Sequence, residues 1–448
     1  MNNLDNDTLL GKAPIPRAVA AMAIPSVISS LVTVVYNMAD TFFVGQTGDA
    51  LQVAAVSLTN PIFILLMAFA NMFGMGGSAM ISVALGENNH PSVKKISSFI
   101  SWASLVVGAA FAAVLLCFTA PILHLFGADA STFELARGYT VYIAFGAPFV
   151  IWSAAASFVV RAEGASKEAM IGSMIGTIAN IVLDPFFVSG LGQGAAGAAI
   201  ATTIGNMLAA LYYLWYFLKK SRRFSLAPKD ALCGTHIAMR VCSAGFPTAI
   251  FSALMCVSTI VLNLILVAYG NAPVAAIGIV FKANMFITFL QMGLANGVQP
   301  IFGYSYGAGD IKRFADTERF TKLCCFVVGL AATALYFFLR EPIIGLFVDD
   351  SDVITYGVQM LIAYMLSGPF IGFLFVNMNC MQSVGRALPA TVLSVLRQGL
   401  LLIPLLYLLN VIAGLNGVIY GQSITDYVTI ALSCVVWRRI RRGLEQRT

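Results

Sequence analysis

Apolar residues run along this chain in long blocks, broken by short stretches where glycine, proline, asparagine and charged residues gather. A run of about 20 apolar residues is what an α-helix needs to cross the hydrocarbon core of a bilayer. The blocks predict twelve spans, near 17–45, 52–84, 96–121, 134–160, 168–190, 195–218, 241–269, 273–305, 317–339, 354–381, 387–410 and 416–437. The expected fold class is therefore an all-α integral membrane protein with twelve transmembrane helices.

Composition excludes the alternatives. Of 448 residues, 59% are hydrophobic and 10% charged, and the mean hydropathy is +0.86. A soluble domain carries about 25% charged residues. The first block is too long for a signal peptide and has no small-residue cleavage site behind a short core, so it is read as a span. The net charge of +6 belongs to the loops and implies no nucleic-acid binding. With the N-terminus in the cytoplasm, all but four of the 26 basic residues fall at internal segments: Arg137 and Arg340 face outward, and Lys282 and Arg397 lie within spans. That sorting follows the positive-inside rule and puts both termini in the cytoplasm. The eight cysteines show no metal-ligand spacing and read as small core residues.

The pattern also repeats. Ile24-Pro25 matches Phe246-Pro247, VAAV at 53–56 matches VAAI at 274–277, LHLFGADA at 123–130 matches IGLFVDDS at 344–351, and Pro148 matches Pro369. One six-helix unit is thus used twice, giving two pseudo-symmetric six-helix lobes in the same orientation. The boundaries are an N-lobe over 1–218, a basic cytoplasmic linker over 219–240, and a C-lobe over 241–448. Paired lobes around a midplane cavity are the architecture of a secondary transporter.

Ionisable side chains inside the spans are the candidate chemistry, because lipid makes them costly. Asp184 lies in the fifth block with Asn180 one helical turn behind it on the same face, and Asp40 follows Tyr36 by one turn in the first block. Thr202 re-enters the membrane about 12 Å deep from the outer side, at a depth comparable with both acids. Carboxylates, an amide, a hydroxyl and a phenol suit Na⁺ and H⁺ alike, with Asp184, Asn180 and Thr202 as the oxygen set for Na⁺. Pro25, upstream of Asp40, removes a backbone hydrogen bond and permits a bend. In the C-lobe, Lys282, Arg397 and Asp426 each fall about 14–17 Å deep. This cluster reads either as a permanent salt bridge or as a group that responds to substrate. Met-rich C-lobe helices suit a cavity adaptable to many shapes. His90, His124 and His236 have no nucleophile or metal partners in the pattern, so no enzyme is expected.

Several stretches resemble one family. Tyr36-Asn37-Met38-Ala39-Asp40-Thr41-Phe42-Phe43-Val44-Gly45 resembles the first-helix signature of the multidrug and toxic compound extrusion (MATE) transporters. Asn180 to Asp184, followed by GAAGAAIATT at 194–203, resembles helices five and six of their prokaryotic DinF-like branch. Gln299-Pro300-Ile301-Phe302-Gly303-Tyr304 is similar to the eighth-helix motif, and Leu396-Arg397-Gln398 and Gly421 to Asp426 to patterns of the MepA-like group. The resemblance implies a multidrug efflux antiporter of a prokaryotic inner (cytoplasmic) membrane. Such a protein expels diverse, often cationic organic compounds in exchange for inward Na⁺ or H⁺, without a cofactor and as a monomer. It implies that Tyr36, Asp40, Asn180, Asp184 and Thr202 line the ion site and that the first helix bends at Pro25. Helices seven and ten hold no internal acid, so coupling is expected in the N-lobe. A flippase for lipid-linked precursors, of the same wider superfamily, is the alternative; it would want several cavity arginines to hold pyrophosphate.

Overall fold

The computed structural model describes residues 6–45, 50–232 and 234–446, without the side chains of 40–42, 44–45 and 50, and contains no strand among them. The first half holds α1 (Asn6–Gly11), α2 (Ile15–Gly45), α3 (Ala50–Gly86), α4 (His90–Cys117), α5 (Thr119–Leu125), α6 (Phe133–Ala162), α7 (Ser166–Pro185), α8 (Gly194–Trp215) and α9 (Pro228–Ala231). The second holds α10 (Thr235–Val267), α11 (Asn271–Gly307), α12 (Ile311–Phe338), α13 (Arg340–Gly345), α14 (Ser351–Met365), α15 (Gly368–Ser383), α16 (Ala387–Val395) and α17 (Leu402–Glu445). Wider π-helical turns follow α7, α8 and α16, at Phe186–Gly190, Tyr216–Lys220 and Leu396–Leu400. Helix starts follow the local chemistry: the side chain of Asn89 accepts from Ser92 N ahead of α4, and that of Asp310 accepts from Arg313 N ahead of α12.

Among the described residues ten helices are long and apolar enough to cross a membrane, and the pair α14–α15 forms an eleventh crossing, bent by 47°. The sequence predicts one continuous span over 354–381. It breaks because Pro369 has no N–H to donate and disfavours helical geometry in the residue before it. The twelfth crossing lies inside Ala387–Glu445, which at 59 residues would measure about 88 Å as one rod. The chain turns back at Gly414, where φ is 57° and ψ is −140°, a backbone shape that glycine alone adopts readily. Beyond the turn, Gly417 packs onto Leu409 and Gly421 onto Leu406. Twelve crossings return both chain ends to one side of the bundle, termed here the terminal face.

Within the first half, α6 is the centre, packed by α3, α4 and α8, while α7 lies against α8 and α2. Within the second, the α14–α15 pair holds the equivalent position, packed by α11, α12 and α17. The two halves meet along α3–α10, α3–α11 and α2–α11. The seam is close-packed near the terminal face: a Cβ on Gly245 would sit 1.8 Å from the Met72 carbonyl oxygen, and one on Gly76 would sit 2.0 Å from that of Val241. Ser78 Oγ donates across the same seam to Gln299 Oε1 at 2.7 Å. Small residues allow such backbone approach where lipid supplies no hydrophobic drive for association.

α2 divides its packing between the halves. Its terminal-face turn, with Ala18, Val19, Met22 and Ala23, shares a buried cluster with Val298, Ile301, Phe302 and Leu374 of α11 and α15. Its farther part lies beside α7. α1 reinforces this link as a strap over the terminal face. Arg313 donates to the carbonyls of Leu10 (2.9 Å) and Ala13 (2.8 Å), and Leu10 is fully buried. Asp7 at the other side of the strap accepts two bonds from Arg223, at 2.7 and 2.6 Å. Beneath Arg223, Glu163 accepts from Tyr216 and Ser221; burial pushes its carboxyl above the usual range against those donors.

Gly245→Ala forces α10 away from the Met72 carbonyl, an overpacking cost of about 1–3 kcal/mol. Thermal unfolding of the purified protein is expected to show a lower midpoint for this variant; a midpoint equal to wild type would remove the seam from the account of stability.

Candidate functional site

Three helices bring the expected N-lobe residues together. α7 carries Asn180 and Asp184 on one face, α8 carries Thr202, and α2 carries Tyr36. Asp184 has 0% exposure, Asn180 3% and Thr202 4%. The Asn180 amide lies between a carboxylate and a hydroxyl, so its NH₂ must face the carboxylate. In that orientation Nδ2 donates to Asp184 Oδ2 at 3.0 Å, and Oδ1 accepts from Thr202 Oγ1 at 3.1 Å. The Thr202 hydroxyl proton is then committed to Asn180, which leaves the Tyr36 hydroxyl, 3.3 Å away, to donate to Thr202. The result is a directed chain, Tyr36 to Thr202 to Asn180 to Asp184, ending on the carboxylate.

The Asp40 backbone lies in α2, one turn beyond Tyr36, but its side chain lies outside the described residues. Asn206 and Ser153 extend the network in a direction the sequence reading did not anticipate. Asn206 Nδ2 donates to the Thr202 carbonyl at 2.9 Å, and Ser153 Oγ donates to Asn206 Oδ1 at 3.2 Å. Asn206 was findable as the residue one turn after Thr202; Ser153 comes from α6, and nothing in its local sequence marks it. Among the described residues, no three His, Cys, Asp or Glu side chains gather as a metal cage. The oxygen donors here come from an amide, hydroxyls and one carboxylate.

In the C-lobe, the expected three-membered cluster is a pair. Arg397 Nε donates to Asp426 Oδ1 at 2.8 Å, with both side chains under 10% exposed. Asp426 also accepts from Ser367 (2.8 Å) and Gln422 (3.0 Å). The Arg397 guanidinium lies over the rings of Phe251 and Phe375, 5.3 and 5.7 Å from their centroids. Lys282 is instead exposed on α11 and outside this pair. One cation and two neutral donors already satisfy the carboxylate, so the buried charge balances without the lysine. Gln422, one turn before Asp426, was readable from spacing; the two phenylalanines and Ser367 are brought in from other helices.

With the geometry in place, comparison with known proteins decides the family. The model of the MatE family matches twice, over residues 25–186 and 247–408. The chain belongs to the MatE family. The two matches to the MATE model stand 222 residues apart. The chain is similar to the multidrug export protein MepA of Staphylococcus saprophyticus, 32% identical over 437 residues, 97% of this chain and 96% of that one. MepA of Staphylococcus aureus is 32% identical over 419 residues, covering 93% and 92%. Among solved structures, a MATE protein in complex with MaL6 superposes with a TM-score of 0.94 at 22% identity, over 99% of this chain and 100% of that one. An outward-facing multidrug resistance MATE transporter of the MOP superfamily gives 0.93 at 22% identity, over 99% of each. These last two share the MATE fold with this chain.

Breaking the C-lobe pair tests whether it is a lock. Asp426→Asn alone leaves a buried guanidinium uncompensated and is expected to cost about 3–5 kcal/mol. Arg397→Met combined with Asp426→Asn should regain most of that loss. Thermal midpoints of the two single variants and the double variant measure the coupling; additive losses would mean that the pair does not act as a unit.

Proposed function

We propose that this MATE protein is a secondary active multidrug efflux antiporter, exporting diverse, often cationic organic compounds in exchange for inward Na⁺ or H⁺. The reading extends to this chain what the name of its MepA relatives says of them. The observation that carries it is the directed chain from Tyr36 to Asp184, a fully buried carboxylate within helices long enough to span a bilayer. Asp40, Asp184, Asn180, Thr202 and Tyr36 are assigned to coupling. A proton or Na⁺ arriving at Asp184 competes with the Asn180 amide for the carboxylate and loosens a chain that ties α2 to α7 and α8. Pro25 gives α2 a bend point between this chain and the part of the helix packed on the C-lobe.

In the proposed cycle the N-lobe over 1–218 and the C-lobe over 241–448 rock about the seam, joined by the linker over 219–240. The terminal face is cytoplasmic by the placement of arginine and lysine, and the protein lies in the cytoplasmic membrane and works as a monomer. No cofactor enters the cycle, and no residue acts as a catalyst. Ion and drug are coupled because each binds one conformational state better than the other, typically by about 5–150-fold in mutual affinity.

In proteoliposomes carrying an imposed Na⁺ gradient and then a pH gradient, wild-type protein is expected to move drug against its gradient with one of the two ions. Asp184→Asn should lose gradient-driven movement while still binding drug. Wild-type transport by Asp184→Asn at equal reconstitution would end the assignment of the site, and drug movement without any ion gradient would end the antiport reading.

A further inference from the structure

At the terminal face of the C-lobe, the start of α16 and the end of α17 enclose a pocket of about 230 Å³, lined by Arg386, Pro389, Arg439, Ile440, Gly443 and Leu444. Two exposed arginines therefore line one small cavity. Neither Arg386 nor Arg439 has a carboxylate partner among the described residues, whereas Arg441 of the same stretch is paired with Glu318 and Glu445. Two like charges at one cavity repel, and a small anion between them removes that repulsion.

The walls above the pocket identify what kind of anion. On α17, Val428, Leu432 and Val435 are 40–49% exposed and fall on one helical face with Arg439, at spacings of four, three and four. On α16, Leu388 is 74% exposed and Val392, one turn deeper, 49%. Both helices thus present exposed apolar side chains along the length that runs from the pocket into the membrane. A soluble phosphate has no use for such walls. An amphiphile with a phosphate head and acyl tails matches both parts. We propose that this pocket binds the headgroup phosphate of an anionic phospholipid in the leaflet at the terminal face, with Arg386 and Arg439 as its ligands and the α16–α17 surface as the bed for its chains. Arginine suits this role, because its planar fork meets phosphate oxygens in pairs. Basic pockets between membrane helices are recognised lipid sites in general terms.

The site stands apart from the ion chain of the N-lobe and from the Arg397–Asp426 pair, so its test is independent of the transport reading. Native mass spectrometry of the full chain in detergent micelles, supplied in turn with phosphatidylglycerol, phosphatidylcholine and glycerol phosphate, reads occupancy directly. Wild-type protein is expected to retain phosphatidylglycerol in preference to the other two. Arg386→Ala with Arg439→Ala should weaken that retention by at least about tenfold, the loss of two charge-assisted contacts. Arg438→Ala with Arg442→Ala removes the same amount of charge near the end of α17 but leaves the pocket arginines, and should retain the lipid. Equal weakening in both double variants would reduce the effect to general surface charge and overturn the site. Retention of phosphatidylcholine or glycerol phosphate as strong as that of phosphatidylglycerol would overturn the assignment of an anionic lipid.

Discussion

Hydrocarbon offers no hydrogen bond, and the whole molecule is arranged around that lack. Every backbone polar group inside the membrane must be satisfied within the protein, which is why the described spans are built from helices. Side chains obey the same rule where they are buried. Asp184 and Asp426, on different lobes, both accept bonds from neutral amides within one helical turn, Asn180 and Gln422. They differ in what else they meet. Asp426 faces a guanidinium that lies over two aromatic rings, so its charge is balanced where it is buried. Asp184 accepts from the Asn180 amide, the last member of a chain of neutral groups that runs back to Tyr36. In the proposed cycle Asp426 stays as it is and Asp184 changes.

The same constraint shapes the seam between the halves. Apolar surfaces gain little by meeting one another in lipid, so association rests on close backbone contact and a few polar bonds. Gly76, Gly245 and the Ser78–Gln299 bond supply both. Contact of this kind is intimate but carries little oily surface, and in the proposed cycle it parts and re-forms. The strap α1 adds a second sort of closure, made of guanidinium bonds to a helix end and a two-pronged ion pair that water can compete for.

Much of this was legible in the sequence because membrane helices are specified locally. Span positions followed from apolar runs, and the Asn180–Asp184 and Gln422–Asp426 pairs followed from a four-residue spacing. What escaped was set by tertiary contact or by single backbone positions. The break between α14 and α15 hinges on Pro369, and the reversal at Gly414 on one residue's φ, neither of which alters hydropathy. Lys282 was expected beside Arg397 because depth along a helix is readable from sequence, whereas its azimuth relative to another helix is not. Phe251, Phe375 and Ser153 reach their sites from distant segments, and no local pattern marks them. The strap was invisible for a different reason: six residues are too few for a periodic signal.

The first long helix shows why the placement of such residues matters more than their number. Its terminal-face turns belong to the C-lobe core, and its Tyr36 belongs to the N-lobe chain. Between them stands Pro25, which cannot donate to the carbonyl of Ala21. Just beyond it, Ser29, Ser30 and Thr33 turn their hydroxyls back onto the carbonyls of Pro25, Ser26 and Ser29, each at 3.0 Å, a pattern that bends helices. A rod anchored at both ends in different bodies transmits force, and one with a soft middle transmits it as a change of angle. A gain or loss of charge at Asp184 acts, in the proposed cycle, on the far end of that rod through Asn180, Thr202 and Tyr36. In the proposed cycle the near end passes the resulting motion to the C-lobe, so that the chemistry of one carboxylate and the tilt of two lobes are the same event seen at different distances.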